Sequence, residues 1–410
     1  MERFTGFIGI AIIFGIAFLL SNNKKAINVR LVFSGLALQI TIALLVLKVP
    51  AITAFFSFLG KGMSKIEHFA TQGASFVFGG IMVDTKNSIS SSFGSANTFV
   101  FAFSVTATII LVCVLVAIFY HLGIMQKIIS VLAGLMNKLM RVSGAEALSN
   151  VASAFVGQVE AQVLIRPYLP SMTKSELLSS MAGSMACIAG GILIVYVNMG
   201  AKVEYLITAS LMAAPAALVM SKIIYPETES SLTMGKVKLE VKKEHENLID
   251  AISHGAAEGM KISINVLAML IGFIGLIALL NYGLGKIDPL LSLDFIFGKV
   301  FYPLAWCMGV PGQDVEQVAA LMGQKLSINE FVAFDTLTHH LKQPLSDKGL
   351  IIASFAICGF ANFSSVGMQL GGIGALAPER RADLAKLGMR ALISGTLASY
   401  LSATIVGILI

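Results

Sequence analysis

The sequence predicts an all-α polytopic membrane protein, with about eight transmembrane helices and two oppositely oriented re-entrant hairpins in an inverted repeat. Hydrophobic residues make up 56% of the 410-residue chain and charged residues only 13%, whereas a soluble domain carries about 25% charge. Apolar segments recur over the whole length, and two regions between them have short arms and polar centres. Interfacial helices complete the predicted architecture.

Residues 1–127 are predicted to form the first unit, which consists of scaffold spans and an interfacial helix. Two apolar segments, 5–20 and 30–49, are joined by a short basic loop. Basic residues concentrate in cytoplasmic loops, so the N-terminus is predicted to lie outside the cytoplasm. Residues 51–95 mix phenylalanines with charged residues, which predicts an interfacial helix followed by a Gly/Ser-rich connection, and 98–120 form span three.

Residues 128–226 are predicted to form the first transport repeat. Between 128 and 173 two short apolar arms are interrupted by Gly157-Gln158-Val159-Glu160, and Arg141 and Lys174 lie near the ends of the arms. Arms too short to span, with basic ends and a polar tip, predict a re-entrant hairpin that enters from the cytoplasm. Such a tip requires protein or a water-filled cavity around it. An ordinary helix pair with a polar turn is the alternative.

Two spans complete the first repeat, and a connecting unit follows. Span four, 176–199, contains a central glycine pair that would permit a local break, and span five covers 205–224. The connecting unit, 227–285, begins with a basic stretch that is expected in the cytoplasm. It continues with an amphipathic helix at 248–261 and span six at 262–281.

The same pattern returns in the second repeat, 286–410. Residues 290–346 form two short apolar arms, with Gly323-Gln324 and Ile328-Asn329-Glu330-Phe331 near the centre. Span seven covers 349–370 with an interruption at 359–365, and span eight covers 389–410. A basic run precedes span eight and places its start in the cytoplasm. The second hairpin therefore enters from outside, and both termini are predicted to be extracytoplasmic.

Two units of hairpin, broken span and closing span in opposite orientations are typical of a secondary transporter. Thr208-Ala209-Ser210-Leu211 in span five is weakly similar to Gly395-Thr396-Leu397-Ala398-Ser399 in span eight, which fits such a repeat. The ligand site is expected where the polar interruptions of the two repeats meet.

The polar residues at these interruptions are the candidates for that site. A carboxylate at membrane depth costs roughly 2.5 kcal/mol or more to insert, so it is rare and usually functional. The candidates are Gln158, Glu160, Asn329, Glu330, Phe360, Asn362 and Ser365. Carboxylates accept hydrogen bonds from vicinal hydroxyls, amides donate and accept, and a phenyl ring packs on a heterocycle. A nucleoside is a neutral ligand that satisfies all three demands.

Several separated motifs occur in the order found in a known family. They are Phe155-Val-Gly-Gln-Val-Glu-Ala with Arg166-Pro-Tyr-Leu-Pro, Leu326-Ser-Ile-Asn-Glu-Phe-Val-Ala, and Cys358-Gly-Phe-Ala-Asn-Phe-Ser-Ser with Gly371-Gly-Ile-Gly-Ala-Leu-Ala-Pro. In these motifs, and over nearly its whole length, the chain resembles the concentrative nucleoside transporter family. The resemblance implies a bacterial eight-span form in the inner membrane, a homotrimer, and a transport domain that moves through lipid in an elevator-like shift against a fixed scaffold.

The resemblance also implies roles for individual residues. The residues that it places against the nucleobase are Gln158, Val159, Glu160 and Ile192, with Phe360 packing on the base. The residues that it places on the ribose are Glu330, Asn362 and Ser365. Many members of the family carry threonine or serine where this chain has Val159, so the pocket loses a hydroxyl here.

The coupling ion is left open between sodium and a proton. The resemblance places a sodium ion at Ser153, Val156, Cys187 and Ile188. Sodium-coupled relatives carry asparagine at the position of Ser153 and serine at the position of Cys187. Sodium is a hard cation that prefers oxygen, and a neutral thiol is a weak ligand for it. A proton carried by Glu160 or Glu330 is the alternative, because an apolar site disfavours the ionised carboxylate. No other cofactor is expected.

Other functional classes are less compatible with the sequence. The net charge of +6 is spread over several loops, so nucleic acid is not an expected partner. A membrane-embedded enzyme that uses Glu160 and Glu330 as an acid/base pair is the alternative from another class. It would need a nucleophile or metal ligands, and the sequence contains no H-E-x-x-H or G-x-S-x-G motif.

Overall fold

The computed structural model describes residues 2–78, 101–234 and 246–410. The regular elements in these ranges are helices, apart from one isolated bridge between Ser143 and Met234. The predicted connection at 79–94 and part of the polar stretch at 226–247 lie outside the described residues. The predicted all-α class is confirmed for the part of the chain that is described.

The helices that precede the first hairpin region follow the predicted spans one to three and the interfacial helix. They are α1 (Glu2–Leu19), α2 (Val29–Lys48), α3 (Pro50–Phe78) and α4 (Phe101–His121). Asn28 caps α2 by accepting a hydrogen bond from the Leu31 amide at 3.2 Å.

The first repeat begins with an amphipathic helix and continues with a hairpin, a broken span and a long span. Its helices are α5 (Ile124–Met140), α6 (Gly144–Ser153), α7 (Glu160–Val163), α8 (Lys174–Ala186), α9 (Gly190–Asn198) and α10 (Val203–Ile224). Hairpin 1 consists of α6 and α7 with their tip. Span four consists of α8 and α9, and it breaks at 187–189, directly before the glycine pair Gly190-Gly191 that predicted a break.

Hairpin 1 begins later than the sequence suggested. The predicted first arm started at 128, whereas the structure ends α5 at Met140 because Arg141 takes a left-handed conformation, with φ of +53°. The arm then begins at Gly144 with a capping box, in which Ser143 Oγ accepts from the Glu146 amide and the Glu146 carboxylate accepts from the Ser143 amide. Residues 124–140 therefore form a separate helix rather than part of the hairpin.

The second repeat has the same order of elements. It follows α11 (Leu248–Ile287), a continuous helix of 40 residues in which the predicted amphipathic helix and span six are fused. The helices of the repeat are α12 (Leu293–Cys307), α13 (Val315–Ser327), α14 (Glu330–His339), α15 (Asp347–Ile357), α16 (Phe363–Leu376) and α17 (Arg381–Leu409). Hairpin 2 is α13 and α14. Its predicted first arm began at 290, whereas residues 293–307 form the separate helix α12, which is followed by Gly309 with a φ of +86°. Span seven is α15 and α16, and its break at 358–362 overlaps the interruption predicted at 359–365.

Few of these helices are long enough and apolar enough to cross a membrane singly. Among the described residues, helices over Val29–Lys48, Val203–Ile224 and Pro378–Leu409 meet both criteria. Spans four and seven fail on length because each is divided into two half-helices. Non-helical backbone at such breaks is tolerated only where protein or a cavity surrounds it, and the residues at both breaks are largely buried.

The two breaks contact each other. Gly359 has a φ of +118°, a conformation that favours glycine, and a Cβ at this position would collide with the carbonyl oxygen of Ala186 at the end of α8. The Phe360 amide donates to the Cys187 carbonyl at 3.3 Å. Hairpin 1 reaches the same place, since the Gly190 amide donates to the Phe155 carbonyl at 3.1 Å.

The weak similarity between spans five and eight corresponds to equivalent contacts. Ser210 Oγ in α10 donates to the Ile188 carbonyl at 3.3 Å, at the break of span four. Ser399 Oγ in α17 donates to the Cys358 carbonyl at 3.2 Å, at the break of span seven. Cys187 and Cys358 are themselves the residues that cap the C-termini of α8 and α15. Each long helix thus satisfies the broken backbone of its own repeat.

Candidate substrate and cation site

Glu330 is the first residue of α14 and lies at the tip of hairpin 2. It is 3% exposed. Tyr196 Oη in α9 donates to Glu330 Oε1 at 3.1 Å, and Asn362 Nδ2 donates to Glu330 Oε2 at 2.8 Å. A residue of the second repeat is therefore held by side chains from both broken spans, which fixes the direction of its two oxygens.

Asn362 and Ser365 link this carboxylate to hairpin 1. Asn362 caps α16 through a hydrogen bond from the Ser365 amide to Asn362 Oδ1 at 2.9 Å. Gln158 Nε2, at the tip of hairpin 1, lies 3.4 Å from Ser365 Oγ, which accepts its hydrogen bond. The structure thus brings Gln158, Glu330, Asn362 and Ser365 into one chain of polar contacts between the repeats.

The two hairpin tips carry buried polar atoms that form no hydrogen bond within the described chain and can serve a ligand. Among them are Gln158 Oε1 and Asn329 Nδ2, one an acceptor and the other a donor. Asn329 Oδ1 is already used, since it accepts from the Val332 amide at 3.0 Å and caps α14. Buried polar groups are normally paired, so these atoms can hydrogen-bond a ligand.

Apolar side chains lie beside the polar contacts. Phe360 and Ile192 are each 8% exposed, and Val159 packs against Gly372 of α16, whose Cβ would overlap the valine methyls. Tyr196 is fixed between the rings of hairpin 2, with its centroid 4.4 Å from that of Phe334 in a stacked pair and 5.0 Å from that of Phe331 edge-on.

Glu160 is placed differently from Glu330. Glu160 is an exposed residue in the described structure. Its carboxylate lies against Gly157 and faces the backbone amides at the start of α7. Glu258 and Lys261 of α11 are its charged neighbours. The hydrogen bonds of the described residues do not connect Glu160 with Glu330, so the structure gives no contact between the two members of the suggested acid/base pair.

The four candidate cation residues lie where hairpin 1 meets the break of span four. Ser153 Oγ is 2.9 Å from Ser184 Oγ and donates to the Ser149 carbonyl at 2.7 Å. Cys187 Sγ lies 3.7 Å from the Ser210 carbonyl and 3.9 Å from the Asn150 carbonyl. Val156 and Ile188 are buried on either side of this junction. The available oxygens are hydroxyls and carbonyls, which suit a hard monovalent cation, and the thiol is the weak member of the set.

Gln162 and Tyr196 also belong to this region, and neither was predicted from the sequence. Gln162 is fully buried and donates to Ser184 Oγ at 2.7 Å, while its own Oε1 accepts from Ser180 Oγ. Tyr196 orients Glu330. Gln162 could have been identified as a polar residue two positions after Glu160. Tyr196 could have been identified by its hydroxyl group in the otherwise apolar segment Ile192–Val197.

Three family models match the chain. Residues 8–81 match the N-terminal and 205–407 the C-terminal model of the Na⁺-dependent nucleoside transporters, and 102–203 match a model described as a nucleoside recognition gate.

Individual proteins and a solved structure are similar over the full length. An uncharacterised transporter of Haemophilus influenzae is 40% identical, covering 100% of this chain and 98% of that protein. The nucleoside permease NupC of Helicobacter pylori is 37% identical, covering 98% of this chain and 97% of that protein. The structure of CNTnw in an inward-facing, substrate-bound state superposes with a TM-score of 0.93 at 39% identity, covering 100% of this chain and 98% of that one.

Proposed function

Because the chain belongs to the Na⁺-dependent nucleoside transporter family, we propose that it imports nucleosides across the bacterial inner membrane, driven by a sodium gradient. The observation that carries this proposal is the chain of contacts from Gln158 through Ser365 and Asn362 to Glu330, which joins both hairpin tips to a broken span. A ligand at this position would contact both repeats at once, as the site of a secondary transporter requires.

The proposed ribose site is centred on Glu330. An ionised carboxylate accepts charge-assisted hydrogen bonds from vicinal hydroxyls, and Tyr196 and Asn362 already fix its orientation. Asn329 Nδ2 lies on the adjacent residue, has no hydrogen-bond partner among the described residues, and can donate to a hydroxyl oxygen. Such preorganised groups cost little to order when the sugar binds.

The proposed base site is formed by hairpin 1 and span seven. Gln158 Oε1 accepts no hydrogen bond from the part of the chain that is described, and can accept one from an imino or amino group of the base. Phe360, Ile192 and Val159 supply apolar surface for the faces of the ring. With Glu160, these residues make up the base-facing set that the family resemblance implied.

We place the coupling cation at the junction of Ser153, Val156, Cys187 and Ile188. This junction is connected to the substrate site by the backbone. The tip that continues from Val156 carries Gln158 two residues later, and the Cys187 carbonyl accepts from the Phe360 amide. A cation that stabilises this junction therefore also stabilises the binding positions of Gln158 and Phe360, and the two ligands favour each other's binding.

We further propose that the protein works as a homotrimer in lipid and moves its site by an elevator-like shift. The structural support is the long helices with large exposed apolar side chains, among them Ile271 at 76% and Leu279 at 65% exposure in α11. An exposed apolar surface of this kind requires lipid or another subunit to cover it.

The relatives that are named transporters or permeases favour transport over enzymatic conversion. The test is uptake of uridine and adenosine into proteoliposomes, with sodium and proton gradients imposed separately. We expect accumulation of unchanged nucleoside under a sodium gradient. Accumulation under a proton gradient alone would transfer the coupling role to a carboxylate, and chemically altered nucleoside inside the vesicles would support the enzyme alternative.

The first site variant to test is Glu330→Gln. Glutamine keeps the shape but loses charge-assisted acceptance, so we expect uridine uptake to fall by roughly two orders of magnitude or more. Glu316→Gln is the matched control, since Glu316 lies on the same hairpin, is 57% exposed and pairs only with Lys299 at 3.4 Å among the described residues. Undiminished uptake by the Glu330 variant would refute the proposed ribose site.

A further inference from the structure

Lys325 is a fully buried lysine that the proposed function does not use. It lies in α13, near the tip of hairpin 2, and is 0% exposed. Its ammonium nitrogen forms no hydrogen bond within the described chain and lies 5.9 Å from the ring centroid of Tyr400 in α17. A buried ammonium is costly unless a nearby negative charge or an electron-rich ring compensates it.

Glu330 is the carboxylate that can compensate this charge. It follows Lys325 by five residues across the hairpin turn, and the two groups are electrostatic neighbours. The two groups do not form one of the contact ion pairs of the described residues, and the carboxylate oxygens accept hydrogen bonds from Tyr196 and Asn362 instead. In a protein interior, attraction between such neighbours is much stronger than it is in water.

The position of Lys325 is related to that of the candidate cation in the first repeat. In the first repeat the cation junction includes Cys187, the residue that caps the C-terminus of α8. Ser210 Oγ of α10 donates to the carbonyl of the next residue, Ile188. In the second repeat Cys358 ends α15, and Ser399 of α17 binds the Cys358 carbonyl. Lys325 is an electrostatic neighbour of Cys358. Its helix α13 packs against α15, and its ammonium lies 5.9 Å from the Tyr400 ring in α17. A tethered ammonium is thus held between the elements that form the second break, as a free cation would be held at the first.

We infer that Lys325 is the built-in counter-cation of the nucleoside site. It balances Glu330 so that the carboxylate stays ionised for the ribose, and the second repeat needs no transported cation. Lys325 is a positioning residue in this scheme, because it acts on the ligand through Glu330. The inference rests on the proposed function for the role of Glu330, but the charge pair itself can be tested without any nucleoside.

The test of the charge pair is a double-mutant cycle with Lys325→Met and Glu330→Gln, measured as the thermal unfolding midpoint of the purified protein without nucleoside. Each single variant leaves one buried charge without its partner, so each should lower the midpoint. The double variant removes both charges and should unfold at a higher temperature than at least the less stable single variant. Losses that simply add would show that Lys325 acts by packing alone and would overturn the inference.

Uridine binding to the same proteins supplies the second readout. We expect Lys325→Met to weaken uridine binding by roughly tenfold, since Glu330 is no longer held as an ionised acceptor. Tyr400→Phe is the matched control, because it keeps the ring near Lys325 and removes only a hydroxyl that has no hydrogen-bond partner in the described chain. Unchanged binding by Lys325→Met would refute the inference. If the parent protein bound no nucleoside, the proposed function would fail while the unfolding cycle still decided the charge pair.

Discussion

Cys187 is the residue at which the candidate cation site departs most from a shell made only of oxygen atoms. Its thiol is fully buried between the carbonyls of Asn150 and Ser210. The remaining partners at this junction, including Ser153, supply oxygen. We therefore expect the thiol to lower the affinity of the proposed site for a hard cation without abolishing binding.

We predict that Cys187→Ser lowers the sodium concentration needed for half-maximal uridine uptake. A hydroxyl ligand that adds about 1 kcal/mol of cation binding corresponds to roughly a fivefold lower requirement. The measurement is the sodium dependence of uptake in proteoliposomes. Cys358→Ser is the control, since it makes the same replacement at the break of the second repeat and should leave the sodium dependence unchanged. A sodium requirement that does not fall in Cys187→Ser would argue against side-chain coordination at this position.

At the scale of the elements, the contact between the two broken spans depends on Gly359. We predict that Gly359→Ala destabilises the protein by about 1–3 kcal/mol, because alanine is strained at a φ of +118° and its methyl group would collide with the Ala186 carbonyl. The measurement is the thermal unfolding midpoint in detergent. Gly371→Ala is the control, since Gly371 lies in α16 with open space around it and alanine favours a helix. Equal midpoints for the two variants would contradict the proposed contact.

The sequence predicted the elements better than their contacts. Polar and glycine interruptions located the breaks of spans four and seven, because membrane helices have few other reasons to carry them. The start of hairpin 1 was misplaced, since apolar content continues through Arg141 and only the Ser143 cap and the left-handed Arg141 separate the two helices. Of the two partners of Glu330, Asn362 was already grouped with it in the sequence. Tyr196 could not be predicted as the other, because it lies far away in sequence and reaches the carboxylate only through packing between the repeats.

The base of hairpin 1 is held by a buried ionic network. Lys222 at the end of α10 lies 2.9 Å from Glu146 Oε2 and 3.1 Å from Glu227 Oε2, and donates to Ser175 Oγ at 3.0 Å. The segment that follows α10 then crosses the hairpin, where the Gly144 amide donates to the Thr233 carbonyl at 2.9 Å. Polar contacts thus join the start of hairpin 1, the start of α8 and the end of α10.

We predict that Lys222→Met costs about 3–5 kcal/mol, since it leaves the buried Glu146 without its cation. The measurement is again the thermal unfolding midpoint. Lys299→Met is the control, because the Lys299–Glu316 pair is more than half exposed on both sides and such pairs contribute about 0–1 kcal/mol. A loss no larger than that of the control would show that the network does not hold the hairpin base.

At the scale of the whole molecule, the helix packing favours a division into moving and fixed parts that differs from the sequence prediction. The sequence predicted that the spans of residues 1–127 all belong to the fixed scaffold. Helix α1 packs against α17, and α2 packs against α10, where a Cβ at Gly35 would overlap Val219. Helix α4 instead packs along α11, where a Cβ at Gly259 would lie 2.6 Å from Ile110 Cα. We therefore propose that α1 and α2 move with the repeats, while α4 and α11 belong to the fixed part.

A disulfide between α1 and α17 distinguishes the two divisions. An ideal Cβ at Gly6 lies 3.9 Å from Ile408 Cβ, within the range of natural disulfides, so Gly6→Cys with Ile408→Cys should cross-link on oxidation. If α1 moves with the second repeat, the cross-linked protein should retain most of its uridine uptake. If residues 1–127 are all fixed, the bridge joins a fixed helix to a moving one, and uptake should stop until a reductant restores it. The variants Gly6→Cys and Ile408→Cys, each made alone beside the four native cysteines and oxidised in parallel, control for the substitutions themselves.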